Sequence, residues 1–209
     1  MNNATDGSTG PPQAAPVGVV LAGGESSRMG LDKARLALAG RTLAGRAAER
    51  LATVAGEVAV ADGGRGLVPG VPSLPDGPGR GPAAGLLGAA AAFPGRGLLV
   101  LACDLPLVPA PLLAELARPG QDWTVPRRAG HVEPLCAFYG PAALRALAAR
   151  VERGRLALHG LTEEAGLTIR FLEGGELERF GDPGEMFLNV NTPEDWERYV
   201  AISTGGPPH

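Results

Sequence analysis

Val17-Gly-Val-Val-Leu21-Ala-Gly-Gly-Glu-Ser-Ser-Arg28-Met-Gly-Leu-Asp-Lys33 is the stretch on which the fold class turns. Its first five residues are a short, β-branched apolar run, the pattern of a strand buried on both faces. The pair Gly23-Gly24 ends that strand and opens a loop. Consecutive glycines let the backbone approach a ligand and turn N–H groups toward an anion, while Arg28 and Lys33 add fixed positive charge. The glycines do not follow G-x-G-x-x-G and no Gly-Lys-Ser/Thr follows at P-loop spacing, so both of those phosphate fingerprints are excluded. On the glycines alone, an anion-cradling loop and a plain turn with solvated charges stand level; Arg28 and Lys33 favour the first.

Outward from this loop, strands and helices alternate. Thr42 can cap a helix running through residue 54, with Leu43, Ala47, Leu51 and Val54 at helical spacing. Residues 58–61 read as a second strand. The Pro/Gly-dense stretch 68–82 reads as loop, with a short strand available at 71–74. A helix of small residues over 83–93 stops at Pro94-Gly95, and 98–102 is a fully buried strand with Asp104 just past its end. A helix at 111–118 follows, then strands at 123–126 and 135–139 flanking a basic hairpin, Arg127-Arg128-Ala-Gly130. Helices over 142–153 and 156–165, strands at 167–172 and near 187–190, and a helix after Pro193 complete the reading. Such alternation, over the first half, implies right-handed βαβ units and an α/β fold with a mainly parallel central sheet. Ligands of such sheets bind beyond the carboxyl ends of the strands, where Gly23-Gly24 and Asp104 both fall.

The chain has 209 residues, 44% of them hydrophobic and 20% charged, with a formal net charge of −3. That length fits one domain of roughly 100–200 residues, placed at 17–202 between a disordered tail, 1–16, and a flexible one, 203–209. The slight negative charge and scattered arginines argue against nucleic acid as a partner. The longest run of apolar residues and glycine, 83–93, is shorter than the roughly 20 residues of a membrane span, so no membrane partner is expected. The first residues carry neither the cationic start nor the apolar core of a secretory signal, and Cys103 and Cys136 are too few for a disulfide framework. The expected setting is cytoplasmic.

Of 19 basic residues, Lys33 is the one lysine, and beyond the N-terminal tail the asparagines are Asn189 and Asn191. Asp104, in Leu101-Ala-Cys-Asp-Leu-Pro106, has two readings: a turn or helix-capping aspartate, favoured by spacing alone, and a Mg²⁺ ligand bridging to substrate phosphates, favoured by its position opposite a cationic loop.

The motifs Leu21-Ala-Gly-Gly-x-Ser-x-Arg28-Met-Gly-x-Asp-Lys33, Gly81-Pro-Ala-Ala-Gly85, Cys103-Asp-x-Pro106, Glu133-Pro-Leu135 and Asn189-Val-Asn-Thr-Pro-Glu-Asp195 occur in that order. Together they resemble the molybdenum cofactor guanylyltransferase family, over about residues 17–200. The first motif is shared with many sugar and alditol nucleotidyltransferases; the asparagine motif points to the molybdopterin branch. The resemblance implies a Rossmann-like three-layer sandwich of the nucleotidyltransferase type and transfer of GMP from GTP to the terminal phosphate of molybdopterin or Mo-molybdopterin, with release of pyrophosphate and Mg²⁺ as cofactor. It also implies that molybdoenzyme apoproteins or their chaperones are further partners. By position it places Leu21, Ala22, Gly23, Gly24 and Lys33 on the nucleotide with Arg28 on its phosphates, Gly81 and Gly85 beside it, Asp76 as a nucleotide-contacting aspartate and Asp104 as the magnesium ligand. Asn189 and Asn191 are implied to face the pterin or the reacting phosphates. Arg28, Lys33 and Asp104 form the expected catalytic set. Two departures stand out: Ala61-Asp62-Gly63 replaces the asparagine many relatives carry after the second strand, and residues 76–81 are glycine-richer than the family pattern.

Such a transfer needs no protein nucleophile, because alignment and charge neutralisation supply most of the catalysis. His131 and His159 are accordingly read as structural or solvated, and Cys103 and Cys136 as small hydrophobes. Glu133 either caps a strand or orients a substrate. Arg127 and Arg128 meet an anionic pterin or form a solvated turn. Trp196 and Tyr199, three apart, suit the core or a dimer contact. The competing functions are molybdopterin cytidylyltransferase, sugar- or alditol-phosphate nucleotidyltransferase, and a non-catalytic nucleotide-binding protein of the same fold.

Overall fold

A computed structural model describes residues 15–23 and 33–205. Strand β1 (Val17–Leu21) has all five residues buried, as its uninterrupted apolar run requires. A 3₁₀ turn (Lys33–Arg35) leads into a small hairpin of β2 (Ala37–Leu38) and β3 (Arg41–Thr42) that the sequence did not announce. Helix α1 (Leu43–Ala52) starts where expected, its Thr42 Oγ1 accepting from the Gly45 N–H at 3.0 Å. There follow β4 (Glu57–Ala61), β5 (Ser73–Leu74), α2 (Pro82–Ala92), β6 (Leu98–Ala102), α3 (Ala110–Leu116), β7 (Trp123–Arg128), β8 (His131–Val132), β9 (Cys136–Tyr139) and α4 (Pro141–Glu152). After a 3₁₀ helix (Leu158–Glu163) come β10 (Ile169–Leu172), α5 (Gly175–Glu178), α6 (Pro183–Met186) and α7 (Pro193–Thr204).

The main sheet has the order β10-β7-β9-β6-β1-β4-β5, with β8 paired to β7. Strands β5, β4, β1 and β6 are mutually parallel, β9 runs against both β6 and β7, and β10 is parallel to β7. Helices cover it in two groups, α1 with α3 and α2 with α4, giving the expected α/β sandwich around a mainly parallel sheet. The registers Leu21↔Ala61 and Leu21↔Ala102 end β1, β4 and β6 level with one another. Everything that leaves the sheet there is delivered to one place.

The segment 187–190 is not a strand. Phe187, Leu188 and Val190 are buried, but their backbone joins no ladder; the Val190 N–H instead donates to the Asp104 carbonyl at 2.8 Å. An apolar run reports burial, and burial can be met without pairing. The helix expected over 156–165 is a six-residue 3₁₀ helix carrying Gly160, a residue that weakens an α-helix. Helix α7 continues to Thr204, past the boundary at 202, and ends on the left-handed Gly205. Most of the N-terminal tail, 1–14, and residues 206–209 lie outside the described residues; the Ala15 carbonyl accepts from Arg96 Nη2 at 2.7 Å.

Candidate active site

The level strand ends open onto a cleft of about 460 Å³. Leu21, Ala22 and Gly23 form its floor; Asp76, Gly81 and Gly85 lie on one wall, and Lys33 and Asp104 also line it. Six of these eight residues were placed on the nucleotide or metal by resemblance, and Gly81 and Gly85 beside them, so the fold gathers that set from five separate stretches of sequence. Arg28 and Gly24 lie outside the described residues. Asn189 and Asn191 stand beside the lining, each tied to it through one bond described below.

The floor is closed by its own hydrogen bonds. The Ala22 N–H donates to the Ala61 carbonyl at 3.1 Å, and the Leu21 carbonyl accepts from the Cys103 N–H at 3.0 Å. Arg65 Nη2 donates to the Ala22 carbonyl. Leu21 and Ala22 thus give the cleft its shape with backbone groups already engaged.

Asp76 is held by close packing of α2 on the loop after β5. A Cβ added at Gly88 would lie 2.1 Å from the Pro75 carbonyl oxygen, so only glycine permits this approach. The Gly77 N–H donates to the Ala84 carbonyl at 2.8 Å, fixing the loop to the first turn of α2. The Asp76 side chain remains exposed, between Gly63 and Gly85.

Asp104 sits where β6 ends. Burial pushes its carboxyl up from the usual carboxylate range, and the positive charge of Lys33 pulls it partly back. One carboxylate oxygen, Oδ1, is buried without a hydrogen-bond partner among the described residues, and so is Asn189 Oδ1. The Val190–Asp104 backbone bond makes these two residues neighbours. Unpaired buried oxygens are costly and rare in folded proteins, and hard-oxygen donors of this kind suit Mg²⁺, which takes one or two protein ligands and fills its other positions with water and phosphate. No cluster of three or more His, Cys, Asp or Glu that could hold a metal exists among the described residues. The residues therefore fit a magnesium ion shared with a ligand.

Lys33 Nζ donates to Asn191 Oδ1, bringing together two residues 158 positions apart. Asn191 is held in turn by Asp195, whose Oδ2 accepts from the Asn191 N–H at 3.0 Å and the Thr192 N–H at 2.9 Å. Burial alone raises the Asp195 carboxyl, but these bonds, that of Thr192 and the Lys33 charge outweigh it and hold it below its ordinary value.

Two carboxylates of consequence went unassigned in the sequence. Asp62 is 1% exposed and is fully used inside the protein: it accepts from the N–H groups of Gly64 (3.1 Å), Arg65 (3.2 Å) and Leu67 (2.8 Å), and from the Ser73 hydroxyl. Asp62 is thus spent on holding the loop that follows β4. Asp195 is the second; its sequence signal is Thr192-x-x-Asp195, a variant of the helix capping box. The hairpin arginines are paired: Arg127 with Glu173, its guanidinium 4.1 Å from the centre of the Phe171 ring, and Arg128 with Glu133 at 3.1 Å. Cys136 is buried, and burial drives its thiol far above the ordinary range.

Residues 18–165 match the family model described as the MobA-like NTP transferase domain. The molybdenum cofactor guanylyltransferase of Cereibacter sphaeroides is 38% identical over 198 residues, covering 88% of this chain and 95% of that protein. The chain belongs to the molybdenum cofactor guanylyltransferase family. It is a nucleotidyltransferase. A probable molybdenum cofactor guanylyltransferase of Pelotomaculum thermopropionicum is 34% identical, over 85% of this chain and 88% of its own length. Among solved structures, the molybdopterin-guanine dinucleotide biosynthesis protein A of Archaeoglobus fulgidus has the same fold, with a TM-score of 0.76 at 24% identity, covering 90% of this chain and 99% of its own. Rv0371c of Mycobacterium tuberculosis, solved as a complex with manganese, superposes with a TM-score of 0.64 at 21% identity, over 90% of this chain and 98% of its own.

Proposed function

We propose that the protein transfers GMP from GTP to the terminal phosphate of molybdopterin, or of Mo-molybdopterin, giving molybdopterin guanine dinucleotide and pyrophosphate. A phosphate oxygen of the pterin attacks the α-phosphorus of GTP, and the bond from that phosphorus to the oxygen bridging to the β-phosphate breaks. The observation that carries this reading is the pairing of a cationic and an anionic group on one cleft: Lys33, which lines it from the 3₁₀ turn, and Asp104 past the end of β6, close enough for the lysine charge to shift the carboxyl.

Lys33 is placed on the nucleotide phosphates, where a compact ammonium with three donors neutralises charge as pyrophosphate departs. Asp104, with Asn189 beside it, would hold Mg²⁺, which when bound supplies charge neutralisation at the α-phosphate. Asp76 and the glycine-lined wall of Gly81 and Gly85 would meet the nucleoside. Arg28 joins the phosphates in this reading on resemblance alone. Residues 17–202, with the last turn of α7 to Thr204, form the catalytic domain. The proposed donor is a nucleotide of the cytosol, which supports a cytoplasmic setting. No helix among the described residues is long and apolar enough to cross a membrane. Molybdoenzyme apoproteins or their chaperones would receive the product.

The test is pyrophosphate release by the full chain with Mg²⁺, molybdopterin and each of GTP, CTP, ATP and UTP. GTP is expected to dominate, because a site whose buried partners match one base edge rejects the others strongly. Preference for CTP would place the protein in the cytidylyl branch. Turnover only with a sugar or alditol phosphate would remove the pterin, and nucleotide binding without turnover would leave a non-catalytic protein.

A further inference from the structure

We propose that Asp195 is a positioning residue for Lys33, acting through Asn191 from the first turn of α7. The inference rests on the reading that Lys33 meets the nucleotide phosphates. A lysine ammonium sits on a flexible four-carbon stem, so its position in a cleft must be set by whatever accepts its hydrogen bonds. Here the acceptor is Asn191 Oδ1, in a segment that belongs to no strand or helix and would otherwise be free to shift.

Both ends of that segment are tied. At one end, the Val190 N–H is bonded to the Asp104 carbonyl, which fixes the half carrying Asn189. At the other, Asp195 does more than cap a helix. A capping box asks one thing of the side chain at this position, to accept the N–H of the N-cap residue, and Asp195 does so at Thr192. The same oxygen accepts a second N–H, that of Asn191, at 3.0 Å. This extra bond serves no orphan group of the helix; it pins the backbone of the residue that holds the lysine. The carboxylate and the ammonium also attract one another across Asn191. The family's asparagine motif therefore ends in an acid that orients its second asparagine, and Asp195 reaches the reaction without touching substrate.

The prediction is a coupling. Equilibrium binding of GTP with Mg²⁺ is measured for wild type, Asp195→Ala, Lys33→Ala and the double variant. Asp195→Ala should weaken binding about tenfold when Lys33 is present and by less than about twofold when it is absent, as expected for residues acting in one network. Thr192→Ala separates this from helix capping: it removes the other half of the box, should lower the melting temperature comparably, and should leave GTP affinity near wild type. Asp195→Glu, the acid most usual at this position, should restore affinity. If Asp195→Ala does not fold, Asp195→Asn repeats the cycle with the same pattern at smaller amplitude, because it keeps the shape and gives up the charge. Equal losses from the Asp195 variant in both backgrounds, or equal affinity losses from the Thr192 and Asp195 variants, would overturn the proposal. Lys33→Ala binding GTP like wild type would overturn both this inference and the reading of Lys33 beneath it, whereas a weakened Lys33→Ala with additive Asp195→Ala would overturn this inference alone.

Discussion

On the β9–β7–β10 side of the sheet, arginine and carboxylate meet in pairs: Arg127 with Glu173, Arg128 with Glu133, Arg150 with Glu164, and Arg170 with both Glu115 and Glu176. Past the carboxyl end of β6 the arrangement is the reverse. Asp104 and Asn189 each keep a buried oxygen that no described residue satisfies, and burial pushes the Asp104 carboxyl up. Leaving a buried acceptor unpaired costs about 1–3 kcal/mol, more when it is charged. Paired charges on one side hold elements together; unpaired ones on the other are a standing cost that a ligand can offset. Variants on the two sides should therefore fail in different ways.

The largest effect belongs to the cleft. Asp104→Asn should lower pyrophosphate release on the order of 10³-fold, as expected when a group that organises transition-state charge is removed. Activity retained across Mg²⁺ concentrations would remove the metal from Asp104.

On the paired side, Glu164→Ala should cost about 3 kcal/mol of stability by urea denaturation, because it strands a buried guanidinium. Arg150 is 4% exposed, and its Nη1 donates to Glu164 at 2.7 Å. Its guanidinium fits because a Cβ at position 160 would lie only 1.8 Å from Nη2. GTP affinity should be unchanged in this variant; a loss of affinity with full stability would erase the distinction between the two sides.

Asp62 tests a carboxylate near the cleft that has partners. Burial pushes its carboxyl up, but the N–H bonds from Leu67, Arg65 and Gly64 and the Ser73 hydroxyl together bring it below its ordinary value. A folded pKa below the unfolded one contributes stability that is present above the unfolded value and is lost as pH falls through the folded one. Asp62→Asn should thus cost about 2 kcal/mol at neutral pH, with the gap to wild type closing as the solution is acidified below the aspartate range. A gap independent of pH would mean that shape, not charge, holds the loop.

Lys33→Arg keeps the charge and changes its form, and should reduce turnover about tenfold, with Lys33→Ala lower still. Equal turnover in all three proteins would make Lys33 a surface residue. The smallest effect is expected at Arg127. Its pair with Glu173 is exposed to solvent, so Arg127→Ala should melt close to wild type, and a large fall in melting temperature would show that the pair carries more than exposed pairs do.

What could be read from the sequence follows the same division. β1 and β6 are uninterrupted apolar runs between turn residues, and their burial on both faces left no other reading. Lys33 and Asp104 stood out because one is the chain's single lysine and the other follows a buried strand. Segment 187–190 read as a strand because its apolar residues are buried, yet its one described tie to the site is the bond from the Val190 N–H to Asp104, and hydropathy does not record backbone partners. The helices α5 and α6, four residues each, are too short to show a period. Asp62 was missed because its partners are mostly backbone N–H groups brought close by the fold, which no spacing of side chains marks; Asp195 is marked by Thr192-x-x-Asp195, but that spacing announces a helix cap and not the second bond, to the Asn191 N–H.

The central claim is that the unpaired oxygens at the strand ends are kept for a nucleotide and its metal. Thermal melting of wild type and Asp104→Asn, each with and without GTP and Mg²⁺, tests it most directly. Wild type should gain stability with ligand, by about 2.7 kcal/mol when ligand is a hundredfold above its dissociation constant. Asp104→Asn should melt no lower than wild type without ligand, since it removes a buried charge, and should gain little when ligand is added. An Asp104→Asn protein that melts well below wild type alone, or that is stabilised by GTP and Mg²⁺ as much as wild type, would contradict the account.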